Sequence, residues 1–406
     1  MVRSKALVAA VGALVALAVA ATGCSKKSDN TPTNGTATGE PIIIGLDQDS
    51  TGPGASYSNI AGATLRLAIQ YVNDNGGVLG RPLKFVVEND ESDPTKVPAT
   101  IQKLAGEGAK MLLLQSGSAA IIQAKSVLGQ VHLPAIAPTG VTATLVAPPD
   151  NELIYMLANT TNDWADVYCG AFQAANIKTL GVLSDDTTTI AALNKALFAK
   201  MTCGVNILPA EVGASNADDL SPQVGRLKNA NPDAILVTSV GGQFEVLAQN
   251  TLAAQLPGKT RFSLASIGNQ PASWNLANPG ALDGLIFMGS INSDNPRTKT
   301  LVDFLHEKNG ADYQITAYDA QAWDTIQVVK MAIEKAGGPD DPDKLNQAIQ
   351  SIQKLPASFG QANFTLSFSA DKHLGADGPC GLSLIQFGSD NTPKGPWSTY
   401  QPPCSS

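Results

Sequence analysis

The sequence predicts an α/β protein built on mainly parallel sheets. Three observations lead there. Short runs rich in Val, Ile and Leu alternate with segments whose apolar residues recur at helical spacing. Gly, Pro, Asn and Asp punctuate the junctions between them. The body from residue 41 onward is long enough for two domains.

Residues 1–23 read as a signal segment. Arg3 and Lys5 precede an apolar run over 6–21, shorter than the roughly twenty residues needed to span a bilayer. The run ends in Ala21-Thr22-Gly23-Cys24. This resembles a bacterial lipoprotein processing site and implies a lipid on Cys24; an ordinary secretory signal cut nearby is the alternative. Residues 24–40 are rich in Ser, Thr, Gly, Asn and Lys. They read as a flexible tether with an r.m.s. span of roughly 20 Å. The expected location is extracytoplasmic, lipid-anchored to the outer face of the bacterial cell membrane.

The folded body opens with Ile42-Ile43-Ile44-Gly45-Leu46, an apolar β-branched run expected to be a buried strand. After a turn-rich loop over 50–57, Leu65, Ala68, Ile69 and Val72 mark one apolar helix face. Asn75-Gly76-Gly77 ends that helix, and a strand follows over 83–87. Asp93-Pro94 predicts the next helix start, with aspartate as N-cap and proline at the first helical position. The alternation continues with a helix face at Val97, Ile101 and Leu104, a strand over 111–114, a helix around Ile122 and Leu128, and a strand over 133–137. Trp164, Val167, Tyr168, Ala171 and Phe172 form a further helix stripe, followed by a strand over 179–183. Helices over 190–201, 220–230 and 243–254 then alternate with strands over 205–209, 234–238 and 262–265. A strand over 285–288, helices over 298–308, 317–336 and 343–353, and strands over 364–368 and 382–387 complete the chain. No repeat of solenoid period is present.

The chain carries 27 Lys and Arg against 35 Asp and Glu, a net charge of −8, with no basic cluster. That argues against nucleic acid as a partner. Beyond Cys24 four cysteines remain, an even count that suggests two disulfides in an exported protein. Three connectivities are possible. Nearness in sequence favours Cys169–Cys203 and Cys380–Cys404. None of the four stands in a Cys-x-x-Cys pair, so no zinc or other metal site is expected.

Three segments carry a family resemblance: Thr51-Gly52-Pro53-Gly54-Ala55-Ser56-Tyr57, then Asn73-Asp74-Asn75-Gly76-Gly77-Val78-Leu79-Gly80-Arg81-Pro82-Leu83, then Glu88-Asn89-Asp90-Glu91-Ser92-Asp93-Pro94. In this order and spacing they resemble the opening of the branched-chain-amino-acid-type solute-binding proteins of ABC importers, and the pattern runs to about Phe387. The resemblance implies a type I periplasmic-binding fold: two Rossmann-like lobes, central mainly parallel sheets, a ligand cleft between them and three interlobe crossovers. By position the crossovers fall near 154–158, 287–292 and 359–365. Lobe 1 is then 41–156 plus 291–360, and lobe 2 is 157–290 plus 361–406. The implied partners are a small-molecule ligand and the permease and ATPase subunits of an importer. A monomer without cofactor is expected.

Other chemistries find no support in the motifs. Gly52-Pro53-Gly54 lacks the third glycine of a dinucleotide loop, with Tyr57 in its place. There is no Gly-x-Ser-x-Gly, no His-Glu-x-x-His and no phosphate loop, and His132, His306 and His373 stand apart. An enzyme is therefore not expected; an anchored hydrolase is the least favoured alternative.

What remains are loops after the carboxyl ends of strands, where open α/β sheets bind ligands. Ser116-Gly117-Ser118 precedes a helix whose N-terminus favours an anion, simple N-capping being the alternative. The resemblance implies that this loop holds a ligand carboxylate, that Pro138-Thr139-Gly140 is a second ligand loop, and that Tyr57 lines the cleft. From the second lobe it implies the loop from Asp185 to Thr189, then Val240-Gly241-Gly242-Gln243 and Gly268-Asn269-Gln270. Amino-acid binders of this kind carry a hydroxyl residue where Val141 stands and an aromatic where Thr189 stands. They also commonly place an acid on the loop that here reads Gly268-Asn269-Gln270. Asp47 and Asp49 occupy a loop that is usually apolar, and read as solvent-facing aspartates. The expected ligand is a small polar organic solute: an amino acid, an amide or another carboxylate-like molecule. A surface sensor of the same fold is the alternative to transport.

Overall fold

The computed structural model describes residues 37–403. The signal segment, Cys24, nearly all of the tether and Cys404 lie outside the described residues.

The first sheet is built from β1 (Ile42–Gln48), β2 (Leu83–Glu88), β3 (Met111–Gln115), β4 (Ala135–Ala137) and β5 (Ile154–Met156), with α1 (Ala55–Asp74), α2 (Val97–Gly106) and α3 (Ser118–Val131) between them. All its pairings are parallel, in the order β2-β1-β3-β4-β5. Parallel neighbours need crossover helices, which is why the sequence alternates. β3 is buried along its whole length, as expected of a central strand covered on both faces. α2 begins at Val97, later than the Asp93-Pro94 signal implied. The Asp93 carboxylate instead accepts from Thr95 N and Thr95 Oγ1 in a local turn, which delays the helix.

The chain then passes into α4 (Thr161–Ala174), β6 (Thr179–Asp185), α5 (Thr188–Lys200), β7 (Asn206–Ile207), β8 (Glu211–Gly213), α6 (Ser221–Ala230), β9 (Ala234–Thr238), α7 (Gly242–Gln255), β10 (Thr260–Ser263), α8 (Ala265–Gly268), α9 (Pro271–Trp274) and β11 (Ile286–Gly289). It returns through α10 (Pro296–Asn309), α11 (Ala317–Ala336), α12 (Pro342–Gln350) and the short antiparallel pair β12 (Leu355–Pro356) and β13 (Thr365–Leu366). It ends in β14 (Ser383–Phe387) and β15 (Pro393–Pro396). The second sheet runs β15-β14-β11-β10-β9-β6-β7, with β8 also on β6. Its β6-to-β11 part is parallel and its β14–β15 edge antiparallel. The fold is thus α/β with two lobes and a cleft between them.

Each lobe has its own core. Ile44, Leu46, Leu113 and Tyr155 pack with Ile326, Val329 and Ile349, so α11 and α12 cover the first sheet. Leu180, Leu236, Phe262 and Met288 pack with Tyr168 and Phe172 under the second. The stripe that marked α4 in the sequence is that buried face. Tying it down, Cys169 is bonded to Cys203, with Cα atoms 5.5 Å apart. Cys380 is also disulfide-bonded; its expected partner, Cys404, lies outside the described residues.

The third crossing does not fall at 359–365. Phe364, Leu366, Phe368 and Ala376 pack in the core of the first lobe. Residues 373–375 run beside β5, where Met156 N donates to His373 O and Gly375 N to Met156 O. We therefore draw the third crossing at 378–382, and move 361–377 from lobe 2 to lobe 1. The segment is short and turn-rich, so no periodicity in the sequence reveals which core it joins.

Candidate functional site

In both sheets the strand order reverses beside the first strand of the lobe, between β1 and β3 and between β6 and β9. Loops at such switch points leave a crevice at the carboxyl ends of the strands. The two crevices face each other across a cavity of ≈ 90 Å³ lined by both lobes. That is room for roughly six to nine water molecules, and so for a small organic solute.

From the first lobe come Ser116, Gly117, Ser118, Thr139, Val141 and the ring of Tyr57. Gly117 is the extended N-cap of α3, and no side chain caps that helix. Neither serine therefore does the capping that was the alternative reading of this loop. Ser118 Oγ accepts from Thr142 Oγ1 at 3.1 Å. Gln115 Nε2 donates to Thr139 Oγ1 at 2.8 Å, leaving the Thr139 hydroxyl proton free for the cavity. Ser116 Oγ is buried beside the Asp90 carboxyl and makes no hydrogen bond of good geometry. Tyr57 and Tyr318 sit side by side with ring centroids 5.8 Å apart.

The crossing after β5 and the second lobe supply the other walls. Ile190, Leu193, Leu264, Met288 and Leu382 make an apolar side. Asn159 and Trp164 stand at the crossing, positioned by the Thr160–Asp163 capping box that starts α4. Asn159 Nδ2 donates to Gly378 O at 2.9 Å, while Asn159 Oδ1 and Trp164 Nε1 have no partner. One hydroxyl, one acceptor and one donor are thus buried, unsatisfied and gathered at one cavity, where burial without a partner costs about 1–3 kcal/mol each.

Of the residues expected at the site, Tyr57, Ser116, Gly117, Ser118, Thr139, Thr189 and Asn269 line this cavity. Gly140, Asp185, Gln243 and Gln270 do not. Gly140 packs where a Cβ would meet Leu145 at 2.7 Å. Asp185 braces two loops: its carboxylate accepts from Thr187 N, Thr187 Oγ1 and Val240 N. Gln270 accepts from Gly242 N at 2.8 Å and donates to Val240 O at 3.0 Å. Gln243 points outward, exposed on α7. Asn269 lies in the wall with its amide engaged: Oδ1 accepts from Ala317 N across the cleft at 2.8 Å, and Nδ2 donates to Ala265 O at 2.7 Å. Sequence reasoning missed Asn159, Trp164, Tyr318 and Gln321. Trp164 belongs to an apolar helix stripe, so nothing in the pattern separates it from the core.

Asp47 and Asp49 are not solvent-facing. They are 1% and 0% exposed, and Asp90 beside them is 0% exposed. Burial, with Asp90 next, pushes the Asp47 carboxyl up to about 8; burial also pushes Asp49 up to about 7, against hydrogen bonds from Ser92 and Tyr57. Asp90 is raised too, chiefly by burial. Each of the three keeps one oxygen without a partner. Among the described residues that line the main cavity, by contrast, none has a charged side chain.

A family model described as periplasmic binding protein matches residues 41–378. The Leu/Ile/Val-binding protein BraC3 of Rhizobium johnstonii is 22% identical over 335 residues, covering 80% of this chain and 87% of that protein. The chemotactic signal transduction system substrate-binding protein BasB of Halobacterium salinarum is 22% identical over 332 residues, covering 77% and 75%. Among solved structures, the branched-chain amino acid transporter substrate binding protein LivJ of Streptococcus pneumoniae, in complex with isoleucine, aligns with a TM-score of 0.76 at 16% identity. That alignment covers 89% of this chain and 100% of that one, and the likeness is one of fold.

Proposed function

This chain belongs to the periplasmic binding protein family, and from that premise we propose that it is the solute-capturing lipoprotein of an ABC importer. It is a solute-binding protein of the Leu/Ile/Val-binding type. In our reading the solute lies between the lobes with a carboxyl-like head at Ser116, Gly117, Ser118 and Thr139. Its apolar body lies against Ile190, Leu193 and Leu264. The observation that carries this is that Ser116, Asn159 and Trp164, each with a buried and unpartnered polar atom, all line one interlobe cavity. Hinge closure over the solute presents the complex to a permease, whose ATPase supplies the energy. The protein acts as a monomer and leaves the solute chemically unchanged.

Mass spectrometry of small molecules released from gently purified protein tests the reading. A single enriched solute carrying a carboxyl or amide supports it, and protein that carries no solute and shows no thermal shift with any acid or amide overturns it. Cys24 supplies the anchor in this account, so a Cys24→Ala variant leaves the membrane fraction; retention after salt and carbonate washes refutes the anchor. A second reading, a sensor reporting to a signalling partner, is favoured by the likeness to BasB. Solute uptake that survives deletion of this protein supports that reading over transport.

A further inference from the structure

The second lobe holds a pocket away from the cleft. It has a volume of ≈ 480 Å³ and lies at the amino ends of β10 and β11, beside the turns 256–259 and 280–284 that lead into them. The interlobe cavity sits at the carboxyl ends of the same strands, and the two share no lining residue. Two cations, Arg261 and Lys259, line the pocket against one acid, the exposed Asp283.

Arg261 is 6% exposed. Its Nη1 donates to Ala281 O at 2.8 Å and to Gln249 Oε1 and O at 3.0 and 3.4 Å, and its Nη2 donates to Asp283 O at 2.9 Å. A guanidinium has five N–H donors, so Nε–H and one N–H on Nη2 have no partner among the described residues. Half-buried Lys259 donates to Pro232 O at 2.8 Å and to Asn231 Oδ1 at 3.3 Å, which leaves one ammonium proton free. Every one of these acceptors is neutral, and among the described residues neither cation joins an ion pair. A buried charge held only by neutral dipoles leaves part of its desolvation cost unmet. Burial accordingly lowers the Arg261 pKa, and the Asp283 carboxylate acts the other way. Lys125, 9% exposed, is the other deeply placed cation among the described residues, and its pocket is lined by Asp150, Glu152 and Asp343. The Arg261 pocket has no such surplus of acid.

We propose that this pocket binds a phosphate-class oxyanion, held by Nε and Nη2 of Arg261 together with the Lys259 ammonium. Neighbouring guanidinium nitrogens match two oxygens of one phosphate, and an ammonium adds a point charge. The void has room for roughly thirty to fifty water molecules, enough for the group that bears the phosphate. A free phosphorylated molecule and the phosphate head group of a lipid both carry this chemistry. The pocket is separate from the cleft, so the proposal is independent of what the cleft binds.

Calorimetric titration of the full-length protein with pyrophosphate, and separately with glycerophosphoglycerol, tests it. The second probe is the head group of phosphatidylglycerol without its acyl chains. Tighter binding of pyrophosphate assigns the pocket to a free phosphorylated molecule, and tighter binding of the head group assigns it to a lipid. Arg261→Gln should weaken the tighter probe by roughly tenfold or more, and Lys259→Gln should weaken it severalfold. Lys299→Gln removes the same charge from an exposed site on α10, in the other lobe, and should change nothing. Arg261 also ties α7 to the turn before β11, so its variant is read only where the melting temperature shows that it folds. Lys259 stands outside that network and decides the matter in either case. Failure of both probes to bind overturns the proposal. So does binding that Lys259→Gln leaves unchanged, or that Lys299→Gln weakens equally.

Discussion

Ser116 and Trp164 show the difference between a side chain that holds the fold and one that waits for a partner. Each ends in a buried polar atom that makes no hydrogen bond of good geometry. A hydrogen bond to a charged group is worth about 1.5–3 kcal/mol. Ser116→Ala or Trp164→Phe should therefore weaken solute binding by roughly 10- to 150-fold, with little change in the melting temperature of the empty protein. A variant that loses stability yet binds normally would move the head group elsewhere. Asp47 and Asp49 make a second residue-scale prediction. Their folded pKa values, about 8 and about 7, lie above the ordinary aspartate value of 3.8. Below pH ~4 both states are protonated and the contribution to stability is full; above it the unfolded chain releases protons that the folded chain still holds. Stability from these groups is lost as pH rises from ~4 to ~8, so the melting temperature should fall between pH 5 and 8.5. Asp47→Asn should flatten that fall. A melting temperature that rises across this window, or one whose slope Asp47→Asn leaves unchanged, contradicts the account. The place of Ser116 and Thr139 in the cavity wall was legible because loops after parallel strands open on the crevice of such sheets. Asp185 and Gln270 stand in equivalent loops, but Thr187 and the backbone of Val240 and Gly242 occupy their side chains, and the Val240 loop is distant in sequence from both.

At the scale of elements, α11 joins the lobes. Its start is fixed by a capping box between Thr316 and Asp319, and Asp319 also accepts from Thr64 Oγ1 on α1 and from the Tyr313 hydroxyl. The next backbone donor, Ala317 N, reaches across the cleft to Asn269. Asn269→Ala removes that interlobe bond. A neutral hydrogen bond is worth about 0.5–1.5 kcal/mol, so affinity should drop roughly 2- to 10-fold. Because the bond ties one lobe to the other, the loss should appear in koff with kon nearly constant. A slower kon instead would mean that Asn269 guides entry. The Cys169–Cys203 bond closes a 34-residue separation between α4 and the segment after α5. Opening it with a Cys169→Ser, Cys203→Ser pair should lower stability by about 4 kcal/mol in the chain-entropy account; equal chemical-denaturation midpoints would refute that. The long helices were legible because a buried face repeats every three to four residues. β8, β12, α8 and α9 were not, since two to four residues complete no period.

For the whole molecule, length and alternation indicated two α/β lobes, and the resemblance over 51–94 supplied their connectivity. The third crossing escaped because Leu366, Phe368 and Ala376 choose a core by tertiary packing, a choice that the turns around them do not mark. The central claim is that a small solute sits between the lobes and draws them together without being altered. Small-angle scattering on the purified protein, with and without the solute recovered from it, tests that claim most directly when the solute is assayed afterwards. The account predicts a smaller radius of gyration with solute present and full recovery of the solute unchanged. An unchanged radius at saturation, or consumption of the solute, would contradict it.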